Sequence, residues 1–164
     1  MTLEPIRTRR LTLTAKGLEQ VRQEIERMEP AIRAQVSPAW LAMLDAAKPF
    51  DPWILGFDIA LVASGAVIGS AGFKGPPQDG VVEIAYGIEP AHRGQGYATE
   101  AAAALTGFAF KSGEVRCARA HTLPEPNAST RVLIKCGFMH IGTVTDPDDG
   151  PVWRWESRLL PREV

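Results

Sequence analysis

Val81-Val82-Glu83-Ile84-Ala85-Tyr86-Gly87-Ile88 leads through Glu89-Pro90 to Arg93-Gly94-Gln95-Gly96-Tyr97-Ala98, and this stretch decides the fold. Its β-branched and aromatic residues predict a strand that ends at Pro90. Beyond the loop, Ala98, Ala101, Ala102, Leu105, Phe108 and Ala109 recur at helical spacing, with Gly113 where a helix commonly stops. A strand, a glycine-containing loop and a helix in this order form an anion site. Two glycines let backbone N–H groups converge, the helix N-terminus adds about half a positive charge, and Arg93 adds a whole one. Thr99 and Glu100 in the first turn favour helix initiation.

Upstream, Arg10 to Thr14 reads as a short strand, and Leu18, Val21, Ile25 and Met28 mark an amphipathic helix that Pro30 closes. A second helix is expected from Pro38 to about Ala47. Trp53 to Val62 and Ala66 to Phe73 read as two strands of a hairpin around Ala63-Ser64-Gly65. Downstream, Val115 to Leu123 is strand-like, and Asn127-Ala128-Ser129-Thr130 supplies capping residues for a helix ending at Gly137. Phe138 to Val144 and Val152 to Leu159 are the last strands. In the latter, Trp153, Trp155 and Leu159 alternate with Arg154, Glu156 and Arg158, as in a half-buried strand. Hairpins combined with one βαβ crossover predict an α+β fold: a mixed sheet with helices packed on it.

The chain has 164 residues, 45% of them apolar and 23% charged, which suits one domain spanning 1–164 with a single substantial core. A net charge of −1 argues against a nucleic acid partner, since neutralising phosphates along a polyanion needs a basic surface. Without a secretory-type N-terminus or a long apolar run, the expected setting is cytoplasmic, away from any membrane. Cys117 and Cys136 lack CxxC spacing and read as small buried hydrophobes; His92, His121 and His140 fall in no metal-binding pattern.

The identity of the phosphate ligand narrows next. A P-loop requires lysine and Ser/Thr after its last glycine, where this chain has Tyr97 and Ala98. A dinucleotide fingerprint requires a third glycine, where this chain has Thr99, and it belongs to the first strand of a parallel sheet. Arg93-Gly94-Gln95-Gly96-Tyr97-Ala98 instead resembles the acetyl-CoA loop of the GCN5-related N-acetyltransferases (GNAT), Arg/Gln-x-x-Gly-x-Gly/Ala, with the arginine one step closer to the glycines. Asn127-Ala128-Ser129-Thr130-Arg131-Val132-Leu133-Ile134-Lys135-Cys136-Gly137-Phe138 is similar to a second segment of the branch resembling ribosomal-protein alanine acetyltransferases. Ile134 departs from it, standing where that branch usually has glutamate.

The resemblance implies a six- to seven-stranded, mostly antiparallel mixed sheet flanked by about four helices and splayed between the strands ending at Ile88 and near Leu123. It implies acetyl-CoA as co-substrate, held by Ile88, Arg93, Gly94, Gln95, Gly96, Tyr97, Ala98, Thr99 and Asn127. The implied reaction is direct attack of a primary amine, from a small molecule or a protein N-terminus, on the thioester carbonyl. By the family pattern Glu83 is the candidate base. The hydroxyl acid is often a tyrosine on the helix after the second motif; this helix has none, so Ser129 takes the role. That missing tyrosine keeps a non-catalytic acyl-CoA-binding module as the competing reading. The acceptor side is expected to be lined by the N-terminal helices and the acidic loop Asp146 to Gly150, with the molecule a monomer or a homodimer.

Overall fold

The computed structural model describes residues 3–160. Strands β1 (Ile6–Arg7) and β2 (Leu11–Ala15) precede helices α1 (Leu18–Glu26), α2 (Pro30–Arg33), α3 (Pro38–Asp45) and α4 (Pro52–Leu55). Then come β3 (Phe57–Leu61), β4 (Val67–Phe73), β5 (Val81–Ile88), α5 (Tyr97–Lys111), β6 (Cys117–Thr122), α6 (Ala128–Lys135), β7 (Met139–Asp146) and β8 (Gly150–Arg158). The sheet order is β1-β2-β3-β4-β5-β6-β8-β7. Its one parallel neighbour pair is β5 with β6, joined by the α5 crossover. None of the described helices is long and apolar enough to cross a membrane.

The fold class agrees with the sequence reading, while several elements differ. There are eight strands because β1, only two residues long, is too short to show any alternation. Trp53 to Leu55 is helical rather than extended: the Asp51 side chain accepts from the Trp53 N–H at 3.1 Å and Pro52 takes the first helical position. Pro30 does not close α1, which ends at Glu26; it opens the single turn of α2, where its missing N–H leaves no bond unmade.

The core lies between the sheet and α5. Leu11 and Leu13, Phe57 and Ile59, and Val82 and Ile84 alternate along their strands onto one buried face, against Ala101, Ala102, Leu105 and Ala109 of α5. Alanines on that helix face let its backbone approach the sheet closely. Trp53, Phe57, Phe73 and Phe108 form an aromatic group at one end. Helices α1, α3 and α4 build a smaller cluster around Val21, Leu44 and Leu55.

The feature that positions the site is a parting of the sheet. Strand β5 pairs with β6 only at Val81, Val82 and Glu83, opposite Cys117, Ala118 and Arg119. Past that point β5 stays with β4, and β6 stays with β8. The β4 ladder contains Lys74 N–H to Glu83 O and Glu89 N–H to Ile68 O. Because antiparallel ladder bonds alternate, the backbone groups of Tyr86 and Ile88 point away from β4, into the opening. Gly69 permits the close approach of β4 at this level, for a Cβ there would fall inside van der Waals contact of the Gly87 carbonyl oxygen. Gly69→Ala is therefore expected to lower stability by about 1–3 kcal/mol in urea unfolding, and to weaken coenzyme A binding through displacement of β5.

Candidate active site

The anion loop is built by backbone geometry. Gly94 and Gly96 have φ of 77° and 83°, a region that other residues adopt at a cost. Gly96 is the N-cap of α5 and offers no side chain to the first-turn N–H groups, which remain available to a ligand. The Arg93 Nε donates to the Ile88 carbonyl at 2.9 Å, tying the loop to the end of β5.

Beside the loop lies a cavity of about 460 Å³, lined by residues from β5, the loop and α6. Its charged side chains are Arg93, Arg131 and Lys135; no carboxylate lines it. In a chain with one more acidic than basic residue, that segregation marks a site for an anion. Ser129 lines the same cavity, and so does Tyr86 from β5. Burial pushes the Tyr86 phenol up to about 12; the nearby Cys136 adds to the rise, and the neighbouring Ser129 hydroxyl opposes it. Burial likewise raises the thiols of Cys117, which is buried as expected, and of Cys136, which is only partly buried.

Glu100, in the first turn of α5, would repel an anion if its carboxylate faced the cavity. It is drawn away by a clasp from the N-terminal strands. Thr8 Oγ1 and the Arg10 backbone N–H both donate to its Oε2, and the Arg10 Nε donates to Oε1 at 2.8 Å. The same guanidinium donates to the Gln95 carbonyl at 2.9 Å and stacks 4.4 Å above the Tyr97 ring. Burial alone would raise the Glu100 carboxyl, but the bonds from Thr8 and Arg10 and the Arg10 charge outweigh it and hold the group below its ordinary value.

On the opposite sheet face a second polar group spans the base of the parting. The Glu83 Oε1 accepts from His121 Nδ1 at 2.7 Å, and Lys74 Nζ stands 2.6 Å from its Oε2. Glu83, Lys74, Arg119 and Met43 of α3 line a separate cavity of about 470 Å³.

A family model for the acetyltransferase (GNAT) domain matches residues 3–139. The chain belongs to the GNAT acetyltransferase family. Over 93 residues it is 32% identical to the uncharacterized N-acetyltransferase YjdG of Bacillus subtilis (strain 168), a match covering 56% of this chain and 53% of that protein. The chain thus spans about half the length of this curated relative. A GnaT-family acetyltransferase structure from Bordetella pertussis is similar with a TM-score of 0.67 at 25% identity, covering 94% of this chain and 99% of that one. RimL, a ribosomal alpha-N-protein acetyltransferase in complex with coenzyme A, has a TM-score of 0.68 at 15% identity, covering 95% and 98%. At that identity the likeness to RimL is one of fold.

Against the GNAT pattern, Ile88, Arg93, Gly94, Gly96, Tyr97, Ala98, Thr99 and Ser129 converge on the first cavity. Gln95 and Asn127 do not line it. The Gln95 carbonyl is held by Arg10, and the Asn127 side chain accepts from the Thr130 N–H at 2.9 Å in a capping box that starts α6. Glu83 lies apart from the first cavity, on the other face of the sheet. Sequence reading missed Tyr86, Arg131, Lys135, the Arg10–Glu100 clasp and the bond of His121 to Glu83. The two cations of α6 stand four residues apart, a spacing that puts them on one helix face and could have drawn notice.

The clasp sets a pH dependence with a definite sign. A carboxylate whose folded pKa is depressed contributes stability above its unfolded value and loses it as pH falls through the folded value. Glu100→Gln is expected to cost about 1–3 kcal/mol at neutral pH, and the gap from the parent should narrow as pH falls through and below the ordinary glutamate range. Urea midpoints of both proteins across that range check it; a gap independent of pH would refute the assignment.

Proposed function

We propose that this protein transfers the acetyl group of acetyl-CoA to a primary amine, borne by a small molecule or a protein N-terminus. The observation that carries this reading is the cationic, carboxylate-free cavity at the N-terminus of α5, continuous with the open edge of β5. Its donor set suits coenzyme A: first-turn N–H groups, Arg93, Arg131 and Lys135 would hold phosphates, and the β5 edge at Tyr86 and Ile88 would pair with the amide-bearing arm. When bound, acetyl-CoA supplies an activated acetyl thioester.

The protein's part follows from its own groups. The Ile88 N–H, fixed in direction by the β4 ladder, would donate to the carbonyl oxygen as negative charge develops there, a contribution of about 10²–10³ in rate for one such donor. An ammonium is not a nucleophile, so the acceptor must lose a proton. Glu83 is the carboxylate nearest the parting on the acceptor face and would take that proton, through water. Ser129 and Tyr86 would together donate a proton to the departing thiolate. Tyr86 keeps its proton across the working range because burial holds it up to about 12. This hydroxyl from β5 supplies what α6 lacks, which weakens the motive for a non-catalytic acyl-CoA-binding module.

Thiol release from acetyl-CoA over a panel of amines and peptide N-termini tests the reading; calorimetric coenzyme A binding without turnover on any acceptor would favour the module. In the active case, Glu83→Gln should lower kcat by about 10²-fold with coenzyme A affinity kept. Ser129→Ala combined with Tyr86→Phe should lower kcat more than either alone, and equal rates for parent and double variant would remove both residues from the proton inventory.

A further inference from the structure

The face that carries Glu83 also carries an arginine left without a counter-ion. Strand pairing places Arg119 opposite Glu156, His121 opposite Arg154 and Cys117 opposite Arg158. Glu156, a polar-side residue in the sequence pattern, is only 7% exposed. Arg119 and Arg158 converge on it at 2.7 and 2.9 Å. Burial would raise the Glu156 carboxyl, yet the two guanidinium groups outweigh it and hold it low. Lys74 is matched by Glu83. Among the described residues Arg154 has no carboxylate within 4.0 Å, and its one protein hydrogen bond runs from Nε to His121 Nε2 at 3.1 Å. Asp146 makes no ion pair with Arg154: its Oδ1 accepts from the Asp148 and Asp149 N–H groups in the β7–β8 turn, and its charge acts on Lys74 and His121.

The bond to Arg154 also fixes the imidazole. Arginine can only donate, so His121 Nε2 accepts and Nδ1 carries the proton given to Glu83. Arg154 therefore sits one residue from the group proposed to receive the acceptor's proton, and among the described residues neither of its Nη nitrogens has a protein partner. A half-buried guanidinium in this condition has paid part of its desolvation cost without return, and a carboxylate in bidentate geometry is its best match.

We propose that the acceptor amine also bears a carboxylate, and that Arg154 binds it. This specificity rests on the acetyl-transfer reading. The carboxylate can come from a free amino acid or from an acidic side chain of a peptide, and both present the same anion to the same fork.

The test compares kcat/KM for free amino acids, their α-amides, the corresponding decarboxylated amines, and peptides with and without an acidic residue near the N-terminus. The parent should favour carboxylate-bearing acceptors over their matched neutral partners, and the better of the two carboxylate sources identifies where the anion resides. Arg154→Gln should cut that preference by roughly 10- to 100-fold, mainly through KM, and Arg154→Lys should restore part of it. Calorimetry of the favoured amino acid or peptide on the protein loaded with coenzyme A gives a readout independent of turnover, and coenzyme A affinity controls for folding. A parent that accepts amides or decarboxylated amines equally well overturns the proposal while leaving acetyl transfer intact, as does an Arg154→Gln loss equal for all acceptors. Absence of thiol release with every amine overturns both.

Discussion

The whole site depends on β5 and β6 sharing a ladder for three residue pairs and then separating. A parallel pair that ran its full length would close the sheet, bury the backbone groups of Tyr86 and Ile88 in ladder bonds, and leave no slot beside the loop. Parting is sustained because each strand keeps a full antiparallel partner on its outer side, β4 for one and β8 for the other. The free edge therefore costs few ladder bonds, and an exposed edge is itself a template for an extended ligand. At the base of the parting the Glu83–His121 bond spans the two strands where backbone bonds cease, so a polar side-chain link stands at the hinge of the opening.

Charge is sorted across the sheet on the same plan. The cavity beside α5 and α6 is lined by Arg93, Arg131 and Lys135 without carboxylates, while the opposite sheet face carries interlocked pairs around Glu83 and Glu156. Glu100 shows how strictly the first face is kept. A carboxylate in the first turn of a helix is favoured by the dipole, and the same dipole draws the ligand anion. Arg10 resolves the competition by holding the carboxylate on the N-terminal side and bracing the loop carbonyl at Gln95.

What could be read in the sequence was what is local. Strand β5 from Val81 to Ile88, the loop from Arg93, α5 up to Gly113 and the Asn127 cap each announce themselves within one continuous stretch, through period, glycine and capping chemistry. The parts that escaped are made by distant partners. Arg10 and Glu100 are 90 positions apart, Glu83 and His121 are 38, and Tyr86 meets Ser129 only because the βαβ crossover brings β5 beside α6. Glu156 looked solvated in an alternating strand, and only the register of β8 against β6 reveals that two arginines bury it. The stretch from Trp53 failed for the opposite reason: a local signal, Asp51-Pro52, was outweighed by the apolar run that follows it.

The same distinction explains why the donor is easier to assign than the acceptor. In the proposed site phosphates would be gripped by backbone N–H groups whose direction follows from a short motif, so the loop alone limits the ligand. Under the proposed function an acceptor would be gripped by side chains from β5, β6 and β8 and from the segment after β4, and their meaning depends on which charges are already spent on one another. Lys74, Arg119 and Arg158 each touch a carboxylate there, and among the described residues Arg154, with none within 4.0 Å, is the remainder. That remainder is invisible in a composition near neutrality, because the chain as a whole has no excess of positive charge. Specificity on this face is then set by the imbalance within one cluster, since paired charges answer mainly to each other and the unpaired one answers to the ligand.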